Sequence, residues 1–186
     1  SIAVLGATGS VGRQALDLVG AFPDRFEVLG LAANSNVAVM AELIRIHAPR
    51  VAIMADPVAS RLLEQELGAA CPTRIEAGPE AIVALAARRD LDMVVAAMMG
   101  RAGLHPVMAA IESRKRVALA NKECLVMGGE LVMRKAAQRG AEVLPVDSEH
   151  AALHEMVSAV GKERIRRLVL TASGGPFLDH DPATLN

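Results

Sequence analysis

The chain has 186 residues, 52% hydrophobic and 22% charged, which excludes a disordered protein and leaves room for one domain and the beginning of another. Twenty basic against 21 acidic residues give a net charge of −1, so no general attraction to nucleic acid or to an anionic membrane is expected. With no Trp or Tyr and three Phe, the core has to be aliphatic.

Strand-like and helix-like segments alternate from the first residues onward. Ile2-Ala3-Val4-Leu5 is a short apolar run closed by Gly6, the pattern of a strand covered on both faces of a parallel sheet. Helical spacing follows over 12–19, with Ala15, Leu16 and Val19 on one stripe. A second strand is predicted over 26–32 and a second helix over 37–47, stopped by Pro49. The alternation continues with an extended segment at 51–54, helices at 58–67 and 81–87, and an extended segment at 93–97. It then gives a helix at 104–112, a strand at 117–120, a helix at 131–139 and a strand at 143–146. Such a pattern predicts an α/β fold, a Rossmann-like doubly wound parallel sheet with right-handed crossovers.

Beyond that point the character changes to a helix at 151–160, a strand at 165–172 and the glycine-rich turn Ser173-Gly174-Gly175-Pro176. The predicted organisation is therefore a nucleotide-binding domain over 1–145 and the start of an α+β domain over 146–186. The chain reads as incomplete at both ends, lacking an initiator Met before Ser1 and a terminating element at Asn186. The longest apolar run, 93–99, falls well short of the roughly 18 residues that span a bilayer. Cys71 and Cys124 form no CxxC pair, the cysteine usage of a reduced, cytoplasmic protein, or a plastid one in a plant or alga.

Five segments bear on chemistry. Gly6-Ala7-Thr8-Gly9-Ser10-Val11-Gly12 joins the first strand to the first helix. Its glycines permit a tight turn and the close approach of a pyrophosphate, which the helix N-terminus attracts. The second strand ends in Ala32-Ala33-Asn34-Ser35-Asn36, with no acid to hold a ribose 2′-hydroxyl and repel a 2′-phosphate. That favours NADP over NAD, and the same three polar residues also suit a turn and helix cap. Ala120-Asn121-Lys122-Glu123 follows a strand at the carboxyl edge of the sheet, where ligands bind. Lys122 could reach substrate oxygens there, and Asn121 and Glu123 the cofactor; alternatively Asn121 caps the next helix while its neighbours are solvated.

In Pro145-Val146-Asp147-Ser148-Glu149-His150, an extended backbone would send Asp147 and Glu149 to one side. Two converging carboxylates suit Mg²⁺ or Mn²⁺ with a third ligand from elsewhere. The competing reading is a helix start, with Asp147 or Ser148 as cap and Glu149 in the first turn. His150 and His154 lie one helical turn apart but have no third nitrogen or thiol ligand, so zinc is not expected. Thr171-Ala172-Ser173-Gly174-Gly175-Pro176-Phe177 could wrap an anion or be an ordinary turn.

Taken in order, GATGSVG, ALANKECLV, LPVDSEH and LTASGGPF resemble the 1-deoxy-D-xylulose 5-phosphate reductoisomerase family over the whole chain. The resemblance implies an NADP-dependent oxidoreductase of the non-mevalonate isoprenoid pathway, a homodimer whose substrate is a small sugar phosphate. Its reaction is a retro-aldol and aldol rearrangement to a branched aldehyde, then reduction by NADPH to 2-C-methyl-D-erythritol 4-phosphate. By the same resemblance Thr8, Gly9, Ser10 and Val11 hold the NADPH phosphates, and Asn34, Ser35 and Asn36 lie near the adenosine ribose and its 2′-phosphate. Asn121 and Glu123 contact the cofactor nearer the nicotinamide, while Lys122 binds substrate. Asp147 and Glu149 ligate the divalent cation (Mg²⁺, Mn²⁺ or Co²⁺), Ser148 and Glu149 touch substrate, and Ser173 binds its phosphate-bearing part. A mobile lid and a third metal carboxylate are expected beyond residue 186.

Two details depart from the family. Ser35 stands where a basic residue is common, and Ala151-Ala152-Leu153-His154-Glu155 replaces the usual Asn-Ala and Ile-Phe-Gln after DSEH. Two rivals make different demands. An enzyme of the aspartate-semialdehyde dehydrogenase type also opens on a GATG-like loop but needs an activated Cys. A dinucleotide-sensing module would bind without any need for a divalent cation.

Overall fold

The structure, a computed structural model, describes residues 1–169. They fall into two compact units, the first Ser1–Val146 and the second starting at Asp147.

The first unit is a seven-stranded, wholly parallel sheet. Its strands are β1 (Ile2–Leu5), β2 (Val28–Ala33), β3 (Val51–Met54), β4 (Arg74–Ala77), β5 (Met93–Ala96), β6 (Arg116–Leu119) and β7 (Val143–Pro145). Its helices are α1 (Ser10–Ala21), α2 (Val37–His47), α3 (Pro57–Leu67), α4 (Pro79–Ala86), α5 (Leu104–Glu112) and α6 (Glu123–Arg139). The spatial order is β4-β3-β2-β1-β5-β6-β7, the doubly wound arrangement expected from the alternation.

Strand alternation divides the core in two. Ala3 and Leu5 of β1 with Val51 and Ile53 of β3 face one layer, completed by Ile82, Leu85, Val107, Ile111 and Val132 of α4, α5 and α6. Val4 with Ala52 and Met54 faces the other, filled by Leu16, Met40, Ile44 and Leu63 of α1, α2 and α3. Both faces are thus covered, which is why β1, β2 and β3 can be apolar throughout.

Two elements differ from expectation within this unit. β4 was not anticipated: Arg-Ile-Glu-Ala is half polar because it lies at the rim and pairs only with β3. Its Arg74 and Glu76 form an ion pair at 2.5 Å. The helix expected at 131–139 begins eight residues earlier, at Glu123, because the chain passes through Gly128 with non-helical angles (φ −155, ψ 31) and then resumes. The kink at the glycine pair divides α6 into two helical segments, and a periodicity count finds only the second. At the opposite rim, β7 ends on Pro145 and pairs with β6.

The second unit opens with α7 (Ser148–Val160) and a single 3₁₀ turn, Lys162–Arg164. The strand expected from 165 is absent over 165–169, and its remainder lies outside the described residues. A strand exists only by pairing, and no other strand belongs to this unit among the described residues. The pattern itself is weak, because Arg166 and Arg167 interrupt the apolar residues, and Leu168 and Val169 stay exposed.

Candidate functional site

Because β2 and β5 lie on opposite sides of β1, the winding of the sheet reverses between β1 and β5. A crevice opens outside the carboxyl ends of strands at such a reversal. Here it is a cleft of about 610 Å³. Its floor is the β1–α1 turn, through Gly6, Thr8, Gly9, Ser10 and Val11. One flank is Ala33, Asn34 and Ala55; the other is Ala97, Met98, Met99 and Ala102, closed by Ala120, Asn121, Lys122 and Glu123.

Each part of this cleft has a local cause. The amides of Gly6 and Ala7 both donate to Ala32 O at 2.8 and 2.9 Å, fixing the turn onto β2. Gly6 takes φ +87, and a Cβ there would stand 2.6 Å from Ala97 C and 2.9 Å from Met98 N. A Cβ on Gly12 would lie 2.8 Å from Ala7 Cα and nearer still to Gly6 O. Turn, first helix and β5 therefore approach as closely as backbone allows. Gly9, the N-cap of α1, makes no side-chain cap bond, and the first turn holds no acid. The amide end of α1 is left electropositive toward the cleft, the condition for receiving an anion.

Of the predicted cofactor and substrate residues, Thr8, Gly9, Ser10, Val11, Asn34, Asn121, Lys122 and Glu123 share this cleft; Ser35 and Asn36 do not line it. Asn36 is the N-cap of α2, its Oδ1 accepting from Val39 N at 3.2 Å. Asn121 is buried; its Nδ2 donates to Met98 O and Gly100 O, and its Oδ1 accepts from Cys124 N at 3.1 Å. Both asparagines thus follow the capping alternative in their side-chain bonds. Lys122 and Glu123 are exposed at the start of α6.

In the second unit, the extended-strand argument for Asp147 and Glu149 does not hold. The extended stretch ends at Pro145, Asp147 is the N-cap of α7, and Glu149 sits in its first turn. The spacing reflects helix initiation: Asp147 Oδ1 accepts from His150 N at 2.8 Å, and its carboxylate meets His150 Nδ1 at 2.6 Å. Ser148 Oγ donates to Glu149 Oε2 at 2.7 Å. Among the described residues no three of His, Cys, Asp and Glu gather as a metal site, and neither His150 nor His154 completes one. Ser173 lies outside the described residues.

Ala55, Ala97, Met98, Met99 and Ala102 were not foreseen as lining residues. The extended segment predicted over 93–97 ends at Ala96, and Met99, in the same apolar run, is 88% exposed. Only the strand order, which sets β5 beside β1, reveals their position.

Cys124 is fully buried at the start of α6, and burial, assisted by the Glu123 carboxylate, pushes its thiol above the ordinary range. An activated nucleophile needs the reverse. Maleimide at neutral pH is expected to label the half-buried Cys71 while Cys124 reacts slower by about tenfold or more, as peptide mass spectrometry would read.

Comparison with known proteins agrees with this geometry. Residues 2–129 match the family model for 1-deoxy-D-xylulose 5-phosphate reductoisomerase, and residues 143–186 match that for its C-terminal domain. The enzyme of that name from Anaeromyxobacter sp. (strain K) is 50% identical over 176 residues, 95% of this chain and 45% of its own. The one from Ralstonia nicotianae is 46% identical over 188 residues, 99% of this chain and 48% of its own. Among solved structures, that from Zymomonas mobilis in complex with NADPH superposes with a TM-score of 0.88 at 40% identity, covering 98% of this chain and 48% of that one. A reductoisomerase in complex with NADPH, fosmidomycin and magnesium superposes at 0.83 with 38% identity, covering 97% and 47%. The chain spans about half the length of the curated relatives it matches.

Proposed function

The chain belongs to the 1-deoxy-D-xylulose 5-phosphate reductoisomerase family, and on that premise we propose that it forms the cofactor-binding part of an enzyme with that activity. The complete protein converts 1-deoxy-D-xylulose 5-phosphate to 2-C-methyl-D-erythritol 4-phosphate in the non-mevalonate isoprenoid pathway, using NADPH and a divalent cation. It works as a cytoplasmic homodimer, with residues 1–145 as the NADPH domain and 146–186 opening the catalytic domain. No helix among the described residues is long and apolar enough to cross a membrane.

The observation that carries this reading is the cleft at the sheet's reversal point, where a turn with no room for a Cβ at Gly6 or Gly12 meets an uncapped helix end. Backbone amides of Thr8, Gly9, Ser10 and Val11, with the two hydroxyls, receive the cofactor's diphosphate. Asn34, Ser35 and Asn36 border the adenosine ribose, and no acid in that turn repels a 2′-phosphate. Asn121 and Glu123 border the nicotinamide end, and the Lys122 ammonium reaches substrate oxygens. NADPH supplies the hydride for the reduction when bound.

The donor set at the head of α7 fits a hard divalent cation in type: two carboxylates, Asp147 and Glu149, with the Ser148 hydroxyl beside them. Asp147 and Glu149 would each give one ligand to Mg²⁺ or Mn²⁺ (Co²⁺ is a further candidate), the other positions falling to substrate, water and another residue. Bound there, such a cation would supply Lewis-acid chemistry to the substrate's oxygens. Ser148, Glu149 and Ser173 hold the substrate around it.

The test is NADPH oxidation by the complete protein with 1-deoxy-D-xylulose 5-phosphate, with and without Mn²⁺. Turnover is expected only with both. Turnover that survives chelation but is lost on thiol alkylation would instead identify the cysteine-dependent dehydrogenase type. Dinucleotide binding indifferent to Mn²⁺ with no turnover would identify a sensor.

A further inference from the structure

Asn121 is 2% exposed, and its carboxamide is committed on three sides. Nδ2 uses both hydrogens, on Met98 O and on Gly100 O, the latter at 2.9 Å. Among the described residues, these are the side-chain hydrogen bonds made to the segment that leaves β5 and runs to α5. Oδ1 meanwhile accepts from Cys124 N, which ties the same amide to the first turn of α6.

The segment has a matching constraint. Gly103, at its far end, faces the amide so closely that a Cβ would stand 3.4 Å from Asn121 Cγ and collide outright with Nδ2. Its near end, Ala97, is pressed against Gly6 with no space for a Cβ between them. What lies between the two contacts, Met98 and Met99, forms an apolar wall of the cleft. Met99, at 88% exposure, is an apolar side chain that its own packing does not hold in place.

We propose that Asn121 is a positioning residue, which with Gly103 pins residues 98–103 and so pre-forms the methionine wall against which the dinucleotide binds. This rests on the reading of the cleft as the NADPH site. A donor that spends both hydrogens on protein carbonyls has none for the ligand, so its NH₂ group acts through the segment it holds. Holding that segment before the ligand arrives removes an ordering cost that binding would otherwise meet.

The test is a double-mutant cycle on the complete protein, reading the NADPH dissociation constant by fluorescence titration and hydrogen exchange over 98–103 without dinucleotide. Asn121→Ala removes the pin, and Gly103→Ala displaces it. Each is expected to weaken NADPH about tenfold and to speed exchange over 98–103. The double variant should bind no worse than either single one, because the methyl at 103 then has nothing to strike. A pair that is merely structural would couple in thermal midpoint and leave the NADPH constant unmoved. That result would overturn the proposal, as would single effects that multiply in the double variant. Weakened NADPH binding in Asn121→Ala with exchange unchanged would mean that contact with the dinucleotide alone accounts for the loss, and overturn it too. Should Gly103→Ala fail to fold, the two readings on Asn121→Ala decide alone. A wild-type protein that binds no NADPH would sink the reading of the cleft, and this inference with it.

Discussion

Gly12→Ala is expected to destabilise the protein by about 1–3 kcal/mol and to abolish measurable NADPH binding. The added methyl meets only backbone: Ala7 Cα at 2.8 Å, Gly6 C at 2.9 Å and Gly6 O closer still. No rotamer change relieves that, so α1 must withdraw from the end of β1 and carry its uncapped amides away from the diphosphate. A chemical-denaturation curve and an NADPH titration would read the two effects. Gly20→Ala in the same helix is the contrast, since its nearest neighbour is the tip of His47 at 3.8 Å, an ordinary contact. There the change should add about 0.5–1 kcal/mol, the usual gain from Ala over Gly within a helix. If Gly12→Ala bound NADPH as well as the unaltered protein, the turn would not be the phosphate site.

Asp147→Asn is expected to lower kcat by about a hundredfold or more while moving the NADPH dissociation constant by less than about twofold. The substitution separates the capping role that the structure gives this side chain from the metal role proposed for it. Asp147 caps α7 through His150 N, and Asn caps helices equally well, so the cap should survive and only the exposed contact of the carboxylate with His150 Nδ1 is weakened. What it loses is the negative charge that a cation requires. Asp147→Ala would remove both and cost about 1 kcal/mol of helix stability besides. Steady-state kinetics across a Mn²⁺ titration, with a thermal melt alongside, distinguish the cases. Full turnover in the Asn variant would remove this side chain from the metal site.

Much of the fold is legible in the sequence because buried parallel strands advertise themselves. Ile2–Leu5 and Val51–Met54 are uninterrupted apolar runs between helical stripes, since helices cover both of their faces. Arg74–Ala77 is not legible for the opposite reason: a rim strand is half wet, and its polar residues imitate a loop. The glycine turn, the ANKE segment and the acids at 147 and 149 stand out by residue type. Geometry corrects the reasons attached to them. Asp147 and Glu149 are spaced for a cap and a first helical turn, and Asn36 and Asn121 spend their side chains on backbone. The methionine wall is the least legible part. Nothing in Met98 and Met99 distinguishes cleft from core until the strand order puts β5 next to β1.

The two rims of the sheet carry a consequence for behaviour in concentrated solution. β4 exposes a four-residue border carrying an Arg–Glu pair, and β7 terminates on a proline, which offers no amide proton to an incoming strand. Both borders refuse the backbone docking through which parallel sheets recruit copies of themselves. Loss of material during purification should therefore follow unfolding of the chain, and not accretion of intact molecules edge to edge.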